Sequence, residues 1–276
     1  ALEKVIESAK LDQTVRFRSS DLDSIIYSKD IGKIQYEYRW LIERGIRFIS
    51  KEDKDYPDKL RPIYNAPFAM FVKGRLPSEE GKAIAIVGAR ECTSYGKEVT
   101  RFMAKSLAAE GVVILSGMAR GIDTYAHKGA LEADGVTCAV LGCGIDICYP
   151  KENINLYMEI QKEGAIISEY APGIQPFAGN FPMRNRIISA LSDGILVREA
   201  KEKSGSLITV DMGLEQGKEI YAVPGRISDM LSSGCNNLIK MGAKPVTKPE
   251  DILEDLFPNR LSKSLLESNQ KRQISF

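Results

Sequence analysis

An α/β fold built on a doubly wound, mostly parallel sheet is what this sequence predicts, with a small all-helical module ahead of it. Three observations carry that reading. Short apolar runs recur between Ala83 and Val246, each ended by glycine or a small polar residue. Amphipathic helical patterns separate those runs, which is the rhythm of strands that cross over helices to parallel neighbours. The chain before them has helical spacing and no convincing strand.

Taken in order, residues 1–45 form the helical module. Leu22, Ile25 and Ile26, then Tyr38, Leu41 and Ile42, fall at i, i+3, i+4 spacing. Residues 46–80 form a lead-in that wraps on the next domain, punctuated by Pro57, Pro62 and Pro67, with Phe68–Val72 as its one strand. Residues 81–257 form the α/β domain. Its strands are predicted at Ala83–Val87, Val112–Leu115, Thr137–Leu141, Ala165–Ile167, Gly194–Val197, Glu219–Val223 and Lys244–Val246. The helix after the first strand places Val99, Phe102, Met103 and Leu107 on one face. Residues 258–276 read as a polar, basic tail, with Arg260, Lys263, Lys271 and Arg272 against Glu267.

Composition removes several function classes. The 276 residues carry 38 Lys and Arg against 37 Asp and Glu, a net +1, so affinity for nucleic acid or phosphate must come from a local patch. Five scattered cysteines, one histidine and no C-x-x-C make a zinc site or disulfide framework unexpected, and no cofactor is implied. A Ser-His-Asp or Cys-His enzyme would rest on His127 alone, and no nucleophile elbow accompanies it. The longest apolar runs fall far short of the ~20 residues of a membrane span. With no leader pattern at Ala1–Lys10, the expectation is a cytoplasmic protein with no membrane span.

Ligands of such sheets bind beyond the carboxyl ends of the strands. The first strand ends in Gly88-Ala89-Arg90, which lacks the second glycine of a dinucleotide fingerprint. Arg90 suits one phosphate held from outside, or a pairing with a neighbouring acid. The second ends in Ser116-Gly117-Met118-Ala119-Arg120-Gly121-Ile122-Asp123, an anion-binding loop running into a helix start, with Asp123 read as a helix cap. The third ends in Gly142-Cys143-Gly144-Ile145-Asp146, then Tyr149-Pro150, with Cys143 as a space-filler. After the fourth, a long loop with Phe177 leads to Phe181-Pro182-Met183-Arg184-Asn185-Arg186 at a helix start. That pairing suits single-stranded nucleic acid: the ring stacks a base while guanidiniums and the helix start hold phosphates. The same segment could instead be a hydrophobic staple with a structural ion pair. After the fifth, Ser204 and Ser206 open another helix, either as caps or facing the same ligand.

Together these segments resemble the DNA-processing protein A (DprA/Smf) family. The motifs are Val87–Arg90, Ser116–Asp123, Gly142–Asp146 with Tyr149-Pro150, Phe181–Ser189, Ser204–Thr209 and Ala222-Val223-Pro224-Gly225, in order, over residues 50–255. The resemblance implies an extended Rossmann-like domain behind the helical module, no catalytic activity, and binding of single-stranded DNA that is handed to the RecA recombinase. It implies DNA contacts at Gly88, Arg90, Gly117, Arg120, Gly121, Phe181, Arg184, Asn185, Arg186, Ser204 and Ser206. It also implies a homodimer through the end of the domain, where Leu238, Ile239, Ile252, Leu253 and Leu256 supply apolar surface, though they could equally be core. Many members carry a basic residue just before the phenylalanine, where this chain has Ala178-Gly179-Asn180. Many also end in a winged helix, which the tail after Leu256 is too short to form.

The expected function is a single-stranded DNA-binding recombination mediator that protects incoming strands in natural transformation and loads RecA. The alternatives are a nucleotide hydrolase of the same fold class, with Glu169 and Asp123 as its carboxylates, and a nucleotide sensor. The hydrolase group carries a Pro-Gly-Gly-x-Gly-Thr loop, of which this chain has only Pro224-Gly225.

Overall fold

The structure, a computed structural model, describes residues 31–258. The helical reading of residues 1–30 and the basic tail from residue 259 lie outside the described residues. Two units make up the chain, one ending at Gly45 and one starting at Ile46. Of the first, helix α1 (Ile31–Glu43) is described; just after it, the Arg44 guanidinium lies 4.1 Å from the centroid of the Trp40 ring.

The second unit is a nine-stranded sheet. Its strands are β1 (Ile46–Ser50), β2 (Ala69–Gly74), β3 (Ala83–Gly88), β4 (Val113–Ser116), β5 (Thr137–Leu141), β6 (Ala165–Ser168), β7 (Gly194–Arg198), β8 (Glu219–Ala222) and β9 (Lys244–Pro245). They lie in the order β1-β2-β6-β5-β4-β3-β7-β8-β9. All pairings from β6 to β9 are parallel, whereas β1 and β2 join antiparallel at one edge. Helices α2 (Ser94–Ala109), α3 (Ile122–Leu131), α4 (Ile154–Glu163), α5 (Asn180–Leu191), α6 (Gly205–Glu215) and α7 (Ser233–Lys240) are the crossovers, and α8 (Glu250–Leu256) follows β9. This is the doubly wound, mostly parallel sheet the sequence predicts.

Strict alternation along the strands divides the core into two layers. Ala83, Ala85 and Val87 of β3, with Val113, Leu115, Ile195 and Val197, face α5, α6 and α7. Ile84 and Ile86, with Ile114 and Leu196, face α2, α3 and α8. Successive side chains of a strand point to opposite faces, so apolar residues at every position require helices on both. That is why the strands read as unbroken apolar runs.

Two local readings change. Residues 46–80 hold two strands rather than one, because β1 is an edge strand that buries Ile46 and Ile49 and leaves Arg47 and Phe48 exposed. On α2, Met103 and Leu107 are buried and Val99 packs against them, but Phe102 is 55% exposed. At 100° per residue it sits on the margin of the stripe.

The topology sets the place of a ligand. The chain steps outward from β3 through β4 and β5 to β6, then returns to lay β7 on the other side of β3. Crossovers leave β3 and β7 in opposite senses, which opens a crevice beyond their carboxyl ends.

Candidate functional site

A cleft of about 700 Å³ occupies that position. Its floor is the end of β3 at Val87 and Gly88, and Arg90 rises from the turn that follows. The first turns of α5 and α6 form one wall, through Phe181, Pro182, Arg184 and Asn185 and through Ser204, Gly205 and Ser206. Ala119, Asp123 and Tyr149 close the opposite side. Helix starts carry free amides and the positive end of the helix dipole, so two of them on one cleft favour an anion.

The aromatic corner joins three segments. Phe181 stacks tilted on Tyr149, with ring centroids 5.5 Å apart, and the exposed Arg90 guanidinium lies 5.4 Å from its centroid. The ring rests on Gly142, where a β carbon would come within 2.8 Å of it. The glycine that follows β5 therefore admits the close approach of a side chain of this chain, the Phe181 ring. The sequence marks Tyr149 only as part of a motif, because the contact that recruits it is not local.

Arg184 lines the cleft but is buried, at 4% exposure. It donates to the Gly117 carbonyl at 2.9 Å, to the Val140 carbonyl, and to Asn185 Oδ1 at 3.2 Å. Burial pushes its pKa down to about 10, with Asp123 pulling the other way, so it stays charged at neutral pH. Asp123 does not cap α3, whose cap position is Gly121. Its carboxylate accepts from the Gly117 and Ala119 amides at 3.1 and 3.3 Å, pinning the loop before the helix. Burial pushes its pKa up while Arg184 opposes that rise. Gly121 adopts φ 72°, and a β carbon there would meet the Ala89 carbonyl oxygen at 2.2 Å, so this loop closes on the Arg90 turn only with glycine.

Of the residues singled out from sequence, Gly88, Arg90, Phe181, Arg184, Asn185, Ser204 and Ser206 line the cleft. Gly117 and Gly121 do not line it; Gly117 packs on the Arg184 guanidinium and Gly121 on the Ala89–Arg90 turn. Arg120 stands exposed outside it, paired with Glu152. Arg186 points away: buried at 7%, it donates to Glu169 Oε1 at 2.6 Å, to the Asn65 carbonyl at 2.9 Å and to the Met183 carbonyl at 2.8 Å. Ser204 caps α6, accepting from the Ser206 amide, and its hydroxyl lies 2.8 Å from that of Ser206. His127 is fully buried against the Thr137 hydroxyl at 2.7 Å, and burial drops its pKa to about 3, so it packs as a neutral ring. Cys143 is buried and its thiol is pushed up to about 11, as befits a space-filler.

The residues singled out for a dimer surface turn inward. Leu238 lies in one core layer with Ile239 packed against it; Ile252 and Leu256 lie in the other, with Leu253 against them. Among the described residues no helix is long and apolar enough to cross a membrane, and no group of three acidic, Cys or His side chains could hold a metal ion.

Fold and cleft together define a Rossmann-like protein with an open cleft at the strand ends of an extended doubly wound sheet. A family model described as DNA recombination-mediator protein A matches residues 47–257. The DNA processing protein DprA of Bacillus subtilis is 44% identical over 215 residues, which cover 78% of this chain and 72% of its own. That of Streptococcus pneumoniae is 45% identical over 203 residues, covering 74% and 72%. The X-ray structure of the Streptococcus pneumoniae protein superposes with a TM-score of 0.78 at 39% identity, covering 86% of this chain and 82% of that one. A structure of DNA processing protein A from Helicobacter pylori, described for its single-stranded DNA binding mode, gives 0.68 at 30% identity, covering 77% and 97%. The chain belongs to the DNA recombination-mediator protein A family.

Proposed function

We propose that the cleft binds single-stranded DNA, and that the chain is a non-enzymatic cytoplasmic mediator that protects incoming strands in natural transformation and loads RecA onto them. One observation carries this: Arg90, Arg184, an aromatic pair and two helix starts converge on one open cleft at the strand ends. The cations and helix amides take phosphates, and the Phe181–Tyr149 corner takes a base of any identity. Arg120, exposed and held only by a surface pair, is positioned to swing to a phosphate, since such pairs are weak. The Helicobacter pylori relative's described binding mode supports the same reading.

The two carboxylates a nucleotide hydrolase would use are already committed. Asp123 pins the Gly117–Ala119 loop and Glu169 pairs with Arg186. The functional unit of this reading is a homodimer, which lets one assembly hold two strands.

Fluorescence anisotropy with labelled poly-dT at two salt concentrations, competed with duplex and with AMP, tests it. The expected result is tight, salt-sensitive binding that duplex and AMP displace poorly. Weak strand binding displaced by AMP would overturn it in favour of a nucleotide enzyme or sensor. RecA filament assembly on protein-coated strands tests the loading step; no acceleration would remove it.

A further inference from the structure

Beside the DNA cleft, a second crevice of about 640 Å³ opens at the carboxyl ends of β7 and β8. The strand pair β3–β7 separates the two, since Gly88 lines the cleft and its partner Arg198 lines the crevice. Strand β7 runs one residue past the Val197 end that the sequence predicts, to Arg198.

Arg198 is 2% exposed, and its Nε and Nη1 have no hydrogen-bond partner. Its Nη2 is 3.4 Å from Glu199 Oε1, a long contact, and its guanidinium lies 4.9 Å from the centroid of the Tyr95 ring. Glu199, which lines the same crevice, balances part of this charge but leaves Nε and Nη1 without an acceptor. Its carboxylate accepts from the Thr93 amide at 2.8 Å and from the Thr93 hydroxyl at 2.6 Å. A buried cation with unmet donors is destabilising unless something supplies acceptors, so such a group marks a site.

Two further features face the same crevice. Thr93 caps α2, its hydroxyl accepting from the Gly96 amide at 2.9 Å, which leaves the amide of Tyr95 with no acceptor inside the helix. On the far rim, Asn236 of α7 clamps Gly225 from both sides, accepting from its amide and donating to its carbonyl at 3.1 Å each. That holds the Pro224–Arg226 turn with the exposed Arg226 at the rim, where Asp229 also lies. A facing carboxylate on a mixed-charge rim disfavours a long polyanion and suits one compact anionic group.

We propose that this crevice binds the phosphate monoester of a nucleotide, separately from the DNA cleft. The Arg198 donors and the start of α2 hold the phosphate, Arg226 closes over it, and the Tyr95 ring, 61% exposed, offers a face to the base. A free nucleotide and the 5′-phosphate of a strand end share this chemistry.

Calorimetry with AMP on the full chain, before and after saturation with 5′-hydroxyl poly-dT, tests it. AMP should bind in both cases. Arg226→Ala and Tyr95→Ala, both at exposed positions, should each weaken AMP about tenfold, the scale of a lost charged hydrogen bond or ring contact, with poly-dT affinity unchanged. Arg198→Gln should abolish AMP binding, with thermal melting as its check on folding. If AMP gives no heat but 5′-phosphorylated poly-dT binds tighter than the 5′-hydroxyl form, and Arg226→Ala removes the difference, the phosphate is that of a strand end. AMP displaced by poly-dT, AMP bound equally by the exposed variants, or neither AMP nor a 5′-phosphate recognised would overturn the site. A chain that binds AMP but not poly-dT would sink the strand-binding reading and leave this one standing.

Discussion

Arg184 and Arg186 stand two positions apart on α5, and a helix separates such residues by about 200°. One therefore meets the Gly117 and Val140 carbonyls at the cleft, and the other meets Asn65 and Glu169 on the far side. Arg90 is the cleaner probe of the cleft because it is exposed. Arg90→Ala should weaken poly-dT binding for all sequences alike and lower the salt slope by about one, with the melting temperature nearly unchanged. An unaltered slope in salt titrations would remove Arg90 from the contact. Phe181→Ala should lose about 1–3 kcal/mol of strand affinity at constant salt slope, which anisotropy reads directly. His127 gives a pH signature. Its folded pKa of about 3 lies below the unfolded value of about 6.5, so the unfolded chain takes up a proton in that window and the native state does not. Its contribution is complete above about pH 6.5 and falls with pH by up to about 1.4 kcal/mol per unit. Urea denaturation between those limits should show His127→Gln losing stability less steeply than the parent chain; equal slopes would contradict the assignment.

At the scale of elements, α5 presents one side to the cleft and uses the other as a clamp. Arg186 ties its first turns to the β6 exit through Glu169 and to the β1–β2 connection through Asn65. Removing Arg186 leaves a partly buried carboxylate without its charged donor, so Arg186→Ala should cost about 2 kcal/mol of stability. Chemical denaturation checks this, and a variant as stable as the parent but weaker for DNA would return Arg186 to the contacts. The element pattern was largely legible in sequence. Seven of the predicted strands fall on β3 to β9, because all but the short β9 carry a local run of apolar residues ended by a local breaker. β1 escaped because Arg47 and an exposed Phe48 break its alternation, and only its pairing with β2 makes it a strand.

For the whole molecule, a net charge of +1 coexists with a cleft whose facing side chains include two arginines. Counterion release depends on phosphates contacted and not on total charge, so strand affinity should fall linearly in logarithmic salt. A salt-independent constant would place binding outside this cleft. Mass measurement in solution should return twice the chain mass, since the proposed unit is a homodimer. A monomer at micromolar concentration would remove that part of the proposal. Because Leu238, Ile252 and Leu256 belong to the monomer core, substituting them would report on folding before assembly.

The sequence by itself determined the layered sheet, the place of its strand ends and the glycine-arginine loops there, since apolar runs, breakers and loop residues act over a few positions. Only the tertiary structure decided which arginine lines the cleft, that Tyr149 backs Phe181, that His127 is a neutral core ring, and that Arg198 sits buried with its Nε and Nη1 unpartnered. Each of those outcomes depends on groups brought together from distant parts of the chain. Burial and hydrogen-bond partners are properties of that assembly, and no spacing along the chain encodes them.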